Sequence, residues 1–156
     1  MPAAAYAESA EMPRARPGEV VLVVEDDDEV RDSTVALLED LGYSVLSARN
    51  GGEGLARFRD GEPVDDILFT DVVLPQGMNG RTLSLEATAL RPDLPVLFTT
   101  GYARNAIIHD GRLDPGVQSL AKPYTQEELA HKVRAVIDSS EGVKRISPRL
   151  AISAAA

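Results

Sequence analysis

The sequence contains no cysteine, which excludes a disulfide framework, a thiolate metal site and a cysteine nucleophile. It also has no excess of basic residues, because the formal net charge is −9. A protein that binds nucleic acid through phosphate contacts would be expected to carry a basic patch. The longest aliphatic run, Val20–Val24, is far too short to cross a bilayer, and residues 1–18 lack the apolar segment of a signal peptide. We therefore expect a soluble cytoplasmic protein with neither nucleic acid nor membrane as a partner.

The composition that is present is ordinary for a globular domain, with 44% hydrophobic and 26% charged residues in 156. That length suits one domain with loose ends. Both ends of the chain are rich in Ala, Pro or charge and lack apolar periodicity. The sequence therefore predicts a disordered N-terminal arm over 1–18, a domain over 19–138 and a disordered C-terminal tail over 139–156.

Short apolar runs alternate with amphipathic stretches inside the predicted domain. Five runs have the length and β-branched content of buried strands: Val20–Val24, Ser44–Ala48, Ile67–Thr70, Val96–Thr99 and Val117–Ala121. Apolar stripes at helical spacing predict five helices, of which the fourth is short and covers about 103–109. The third carries Leu83, Ala87 and Leu90, and the last begins with a capping box of Thr125 and Glu128. This alternation predicts an α/β fold, a doubly wound parallel sheet of flavodoxin-like order 2-1-3-4-5 with helices on both faces.

The ends of the predicted strands carry reactive side chains. Glu25 and Asp26 follow strand 1, Asp71 follows strand 3, Thr100 ends strand 4 and Lys122 follows strand 5. In a doubly wound sheet all five lie at the carboxyl edge, where such folds bind ligands. Three converging carboxylates repel one another unless a hard divalent cation is present, Mg²⁺ first and Mn²⁺ second. A carboxylate nucleophile, a metal, an ammonium and a hydroxyl are what phosphoryl transfer to an aspartate requires.

Each of these residues also has an ordinary structural explanation. Acidic residues are favoured at a helix N-terminus, and Asp71 could cap a turn. Thr100-Gly101 is typical of a turn, and Lys122 could be a solvated strand end. These explanations together would need four separate accidents at one edge of one sheet, so the functional interpretation is preferred.

Four segments together resemble the receiver domain of two-component response regulators: Val23–Asp27, Thr70–Pro75, Thr100-Gly101 and Lys122-Pro123. The resemblance covers about residues 20–138. It implies that Asp71 takes a phosphoryl group from a histidine kinase or a histidine phosphotransfer protein, and that the domain then regulates a protein partner. It also implies no enzymatic activity beyond the domain's own phosphoryl transfer and dephosphorylation.

The resemblance also implies a role for each neighbour of Asp71. Asp26 would bind the metal directly, Glu25 largely through water, and the backbone carbonyl of Val73 would complete the ligands. Lys122 would pair with the phosphoryl oxygens, and Thr100 would hydrogen-bond one of them in the active state. The peptide bond between Lys122 and Pro123 is expected to be cis, as in many relatives.

The sequence departs from the family pattern at three places, of which the first is mild: Glu25 stands where aspartate is more usual. The segment from Phe98 to Tyr102 resembles a subset of receivers with a Phe-Ala-Thr-Gly-hydrophobic-Tyr signature, and also the receivers of hybrid histidine kinases. Within it, Gly101 is expected to leave the phosphoryl site open. The loop over 75–80 is one residue longer than usual. Ser119 stands where the family has a switch aromatic, so the aromatic half of the usual switch is missing.

Other functions compete with this interpretation. A receiver fold could serve as a constitutive protein-interaction module, which metal binding would discriminate, or the chain could be the receiver segment of a hybrid histidine kinase. The glycines over 51–54 follow strand 2, not strand 1, and lack the phosphate-loop pattern of a nucleotide-binding enzyme. A haloacid-dehalogenase-type phosphatase would need a second aspartate where Val73 stands.

Overall fold

The structure is a computed structural model, and it describes residues 12–75, 77–101, 108–109, 112–113 and 118–139. The strands within these ranges are β1 (Val20–Val24), β2 (Ser44–Ala48), β3 (Ile67–Asp71), β4 (Val96–Thr100), β5 (Ile108–His109), β6 (Arg112–Leu113) and β7 (Ser119–Ala121). The helices are α1 (Asp28–Asp40), α2 (Gly51–Arg59), α3 (Gly80–Leu90) and α4 (126–139).

Five of the strands form one parallel sheet in the order β2-β1-β3-β4-β7. The predicted order 2-1-3-4-5 is therefore confirmed, with β7 as the fifth strand of the sheet. The register places Asp71 of β3 opposite Thr99, and Thr100 of β4 opposite Ala121. Because all five strands run the same way, their carboxyl ends meet at one edge of the sheet.

The three central strands, β1, β3 and β4, are buried on both faces, which explains their largely apolar sequences, whereas the edge strands β2 and β7 are only partly buried. Along β1, Val21 and Val23 pack with α1 and α4, whereas Leu22 and Val24 pack with α2 and α3. None of these four side chains is more than 2% exposed. The predicted stripe of the last helix is also buried, at Leu129, Val133, Val136 and Ile137. Within the described ranges, no helix has the length and apolar content needed to cross a bilayer.

Helix boundaries follow the capping residues in the sequence. The Asp27 carboxylate accepts a hydrogen bond from the N–H of Val30 at the start of α1, and Asn50 does the same for α2. At the start of α4, Thr125 and Glu128 exchange side-chain to backbone hydrogen bonds, so the predicted capping box is confirmed.

The prediction of a fourth helix over 103–109 is wrong at residues 108–109. The rest of that predicted helix lies outside the described ranges. Ile108–His109 instead pairs antiparallel with Arg112–Leu113. The two residues between these strands in the sequence are Asp-Gly, the dipeptide that favours a two-residue hairpin turn. One neighbouring prediction also needs correction, because the fifth strand of the sheet begins at Ser119. The third predicted helix is confirmed, since Leu83, Ala87 and Leu90 all lie in α3.

Residues 12–18, which the sequence assigns to a disordered arm, contact the folded core; we call them the N-terminal strap. Met12 and Ala15 pack against the cluster between the sheet and the α1/α4 layer. The N–H of Ala15 donates to the carbonyl of Leu41, and the Arg14 guanidinium donates to the carbonyl of Asp40. The strap therefore satisfies carbonyls at the end of α1, a tertiary role that leaves no periodic pattern in the sequence. The predicted disorder of 1–11 and 140–156 lies outside the described residues.

Candidate functional site

The carboxyl ends of β1, β3, β4 and β7 bring the predicted site residues to one place. A crevice of about 340 Å³ opens there. Its lining residues are Asp26, Asp71, Val72, Val73, Thr100, Gly101 and Lys122. Tyr102, the remaining predicted neighbour of Thr100, lies outside the described residues.

Three carboxylates face one another at this edge. Oxygens of Glu25, Asp26 and Asp71 lie within 4.8 Å of one another. Glu25 and Asp71 are buried, at 5% and 8% exposure, whereas Asp26 is exposed to solvent. Oxygen-only donors of like charge at this spacing fit a small hard divalent cation, which would relieve their mutual repulsion.

Lys122 supplies the positive charge of the cluster. Its Nζ donates to Oε1 of Glu25 over 2.6 Å and to Oδ2 of Asp71 over 2.8 Å. Burial lowers the pKa of the Lys122 ammonium, but its bonds to Asp71 and Glu25 outweigh burial and raise the pKa to about 12. The ammonium therefore stays charged at neutral pH and joins two carboxylates from different strands.

Glu25 is the most enclosed acid of the three. Burial raises its pKa above the ordinary value, and the nearby charge of Asp71 adds to the rise. Hydrogen bonds from Lys122 and from the N–H of Asp27 act in the opposite direction without cancelling it. Both oxygens of Glu25 thus already accept hydrogen bonds from the protein.

The backbone around Lys122 is fixed to the neighbouring strand. Its N–H donates to the carbonyl of Thr100 over 2.7 Å, and the peptide bond from Lys122 to Pro123 is cis, as the resemblance to receiver domains implies. Within the described residues, nothing lies within 4 Å of a Cβ atom added to Gly101, so the described part of the crevice is open beside Thr100.

The loop after β3 holds the backbone of Asp71 closely. The N–H of Gly80 donates to the carbonyl of Val72 over 2.8 Å. A Cβ atom added to Gly80 would collide with the carbonyl oxygen of Asp71. Only glycine allows the start of α3 to approach β3 in this way. The sequence analysis treated Gly80 only as part of the loop.

Three further hydrogen bonds at or near the site were not predicted. The Arg31 guanidinium donates to the backbone carbonyl of Glu25 over 3.0 Å and to the carboxylate of Asp28 over 2.6 Å. The hydroxyl of Tyr124 shares a hydrogen bond of 2.6 Å with the hydroxyl of Thr34. Thr34 and Tyr124 are 90 residues apart in the chain, so no local pattern could reveal their contact.

The place of the missing switch aromatic is also described. Ser119 lies opposite Phe98 in the register of β4 and β7. Phe98 is 5% exposed and packs with Val72 in a small cluster of its own. An aromatic ring is thus present beside Ser119, on the neighbouring strand.

Comparison with known families agrees with this arrangement of strands and acidic residues. The family model described as the response regulator receiver domain matches residues 21–134. The chain belongs to the response regulator receiver family. Receiver domains are signalling modules that act with histidine kinases or phosphotransfer proteins.

Relatives of this receiver occur in two settings. It is 33% identical over 117 residues to the response regulator receiver protein CpdR of Brucella abortus, covering 75% of this chain and 95% of CpdR. It is 35% identical over 121 residues to the sensor kinase CckA of the same organism, covering 78% of this chain but only 13% of the kinase. The chain therefore spans nearly all of the first relative and a small part of the second.

Solved receiver structures share the fold. The receiver domain of the hybrid histidine kinase CckA superposes with a TM-score of 0.63 at 32% identity, covering 76% of this chain and 98% of that one. A response regulator receiver protein from Sinorhizobium medicae gives a TM-score of 0.71 at 20% identity, covering 80% and 98%. The second likeness shows the fold alone.

Proposed function

We propose that this receiver accepts a phosphoryl group on Asp71 from a phosphohistidine of a histidine kinase or a phosphotransfer protein, in the cytoplasm. The observation that supports this most is the Lys122 ammonium, which joins Asp71 to Glu25 beside the exposed carboxylate of Asp26. The modified domain then regulates a protein partner and transforms no separate substrate.

The transfer itself is an in-line displacement. A carboxylate oxygen of Asp71 attacks the phosphorus, the bond from phosphorus to the histidine nitrogen breaks, and that nitrogen keeps the electron pair. The Lys122 ammonium lies beside Asp71, where it offsets the negative charge of the phosphoryl oxygens. Among the residues that the structure describes, nothing lies within 4 Å of a Cβ atom placed on Gly101, which leaves room for the incoming group on that side.

The acidic residues would hold the metal during this transfer. Mg²⁺, or Mn²⁺ in its place, would be bound by Asp26, Asp71 and the backbone carbonyl of Val73, and supplies charge neutralisation for the phosphoryl oxygens. Glu25 would act through water, since both of its oxygens already accept hydrogen bonds within the protein.

The remaining site residues would respond to the modification. Thr100 ends β4 at the rim of the crevice, so its hydroxyl would hydrogen-bond a phosphoryl oxygen in the active state. Gly101, Tyr102 and Pro123 are secondary contributors to this region. The alternative role, a constitutive interaction module, is less supported because the acids, threonine and lysine are all in place.

The likeness to the kinase CckA supports a second setting, in which this receiver is a segment of a hybrid kinase. The chemistry at Asp71 is the same in either setting. A panel of purified kinases and phosphotransfer proteins would identify the donor, through the fastest transfer to Asp71.

The proposed function is tested by incubation with phosphoramidate and Mg²⁺, followed by intact-mass measurement. One phosphoryl group should appear, and it should be lost in hydroxylamine, as an acyl phosphate is. Asp71→Asn should abolish the mass increase, whereas the exposed control Asp32→Asn in α1 should retain it. Labelling that persists in Asp71→Asn contradicts the proposal.

A further inference from the structure

Tyr124 lies two residues after Lys122 and joins the parts of the chain that form the site. Its hydroxyl shares the 2.6 Å hydrogen bond with Thr34 in α1. Its ring meets the ring of Phe69 edge-on, with centroids 5.9 Å apart and an interplanar angle of 62°. Phe69 lies two residues before Asp71 on β3, so the two side chains project from the same face of the sheet.

The contact with α1 connects Tyr124 to the acidic pair. The helix begins at Asp28, directly after the loop that carries Glu25 and Asp26. Thr34 is only 2% exposed, and burial raises the pKa of the Tyr124 hydroxyl. The hydrogen bond is partly buried, since Thr34 is enclosed and Tyr124 is half-buried, so it meets less competition from water than a fully exposed contact would and restrains both elements.

The loop that carries Lys122 needs such a restraint. A lysine side chain has many rotamers, so holding its ammonium between two carboxylates costs conformational entropy, and a mobile backbone at Lys122 would add to that cost. The N–H of Lys122 is bonded to Thr100, but Pro123 is exposed and has no N–H to donate. The first side chain after Lys122 that reaches another element is Tyr124.

We propose that Tyr124, through its hydrogen bond to Thr34, is a positioning residue that holds Lys122 against Asp71 and Glu25 and so sets the rate of phosphoryl transfer. The inference rests on the proposed function, because Asp71 must be the acceptor for Lys122 to matter. The side-chain hydrogen bond and the ring contact described for Tyr124 go to Thr34 and Phe69 and not to Asp26 or Asp71, so its effect on Asp71 is expected through the position of Lys122.

The test removes the hydrogen bond from either side. Tyr124→Phe keeps the ring against Phe69 and loses the hydroxyl, and Thr34→Val removes the partner. Each should slow phosphorylation by phosphoramidate roughly fivefold, the size expected when one hydrogen bond of ordinary strength no longer supports the transition state. The double variant should be no slower than either single variant, because both remove the same bond. Thr88→Val, which loses a hydroxyl bonded within α3, should react at the wild-type rate.

A second double-mutant cycle, between Tyr124 and Lys122, distinguishes a residue that positions Lys122 from one that only stabilises the fold. In a Lys122→Ala background, labelled over longer times, Tyr124→Phe should cause no further slowing, since the residue it positions is gone. The affinity for Mg²⁺, titrated by the thermal shift, should be the same in Tyr124→Phe and in the wild type. A purely structural tyrosine would instead slow the reaction equally in both backgrounds.

The outcomes are distinct. Suppose that the wild type is labelled on Asp71. If the Tyr124→Phe variant then reacts at the wild-type rate, or if the substitution slows phosphorylation equally with and without Lys122, this inference is overturned and the proposed function stands. If the wild type is not labelled on Asp71, both fail together. Slowing in Tyr124→Phe and Thr34→Val that disappears without Lys122 supports the positioning role.

Discussion

Arg134 donates two parallel hydrogen bonds to Glu19, from Nη1 to Oε1 and from Nη2 to Oε2, each 2.8 Å long. The two side chains are 12% and 7% exposed. Arg134 bonds Asp138 as well, one turn further along α4. This bidentate geometry is the strongest form of ion pair between side chains, and it joins the residue before β1 to the last helix.

The first prediction concerns the pH dependence of this pair. Burial raises the pKa of Glu19, but hydrogen bonds from Arg134 and from the N–H of Arg16 outweigh burial and hold the pKa below its ordinary value of 4.5. A carboxyl group whose pKa is lower in the folded state than in the unfolded state stabilises the fold at pH values above its unfolded-state pKa. That contribution is lost as the pH falls through its folded-state pKa. Glu19→Gln should therefore lower the free energy of unfolding by roughly 2 kcal/mol at pH 7.

The measurement is urea unfolding of both proteins from pH 7 down to pH 3. The difference in the free energy of unfolding between Glu19→Gln and the wild type should shrink as the pH falls below 4.5, the ordinary pKa of a glutamate. The exposed Glu29→Gln is the matched control and should show little difference at any pH. If the difference in the free energy of unfolding stays constant from pH 7 to pH 3, the charge of Glu19 does not stabilise the fold.

The second prediction concerns the acidic cluster. Millimolar Mg²⁺ should raise the thermal midpoint of the wild type by a few degrees, because binding to the folded state alone stabilises it. Asp26→Asn should lose most of this rise, and Asp32→Asn should keep it. A wild-type midpoint that ignores Mg²⁺ would mean that these carboxylates bind no metal here, and would favour the constitutive interaction module.

The third prediction compares two glycines at the site. Gly80→Ala places a methyl group against the carbonyl of Asp71, so the backbone must shift. We expect a loss of about 2–4 kcal/mol in stability and slower labelling of Asp71. Gly101→Ala meets no atom of the described residues within 4 Å and should change stability by less than about 0.5 kcal/mol. Urea unfolding checks both, and equal effects at the two positions would refute the argument from close approach.

Much of this structure could be predicted because its signals are local. The runs from Val20 and from Ile67 are continuous and β-branched, as strands buried on both faces must be. The residues that follow them lie at the edge where parallel strands end together. The sequence alone therefore predicts that Glu25, Asp71 and Lys122 lie near one another.

The remainder depends on contacts between distant parts of the chain. Nothing near Tyr124 in the sequence indicates its bond to Thr34, and nothing near Gly80 indicates its closeness to Asp71. The strap was misjudged because its polar, proline-rich segment binds the carbonyl ends of α1 with backbone and side-chain groups instead of an apolar stripe. The strand at Ile108, where the sequence analysis expects a helix, does have a local signal. It is the Asp-Gly pair after His109, which favours a hairpin turn.

The strap and α4 are also the first and last described parts of the domain to leave the ribosome. The guanidinium of Arg134 bonds the carbonyl of Arg14, 120 residues earlier, and the carboxylate of Glu19, 115 residues earlier. Until α4 is synthesised, Glu19 has no cation from that helix, and the apolar face of β1 that α4 covers stays exposed. The core of the nascent domain therefore cannot be fully buried as each strand is synthesised. Its final folding step requires α4 to have been synthesised.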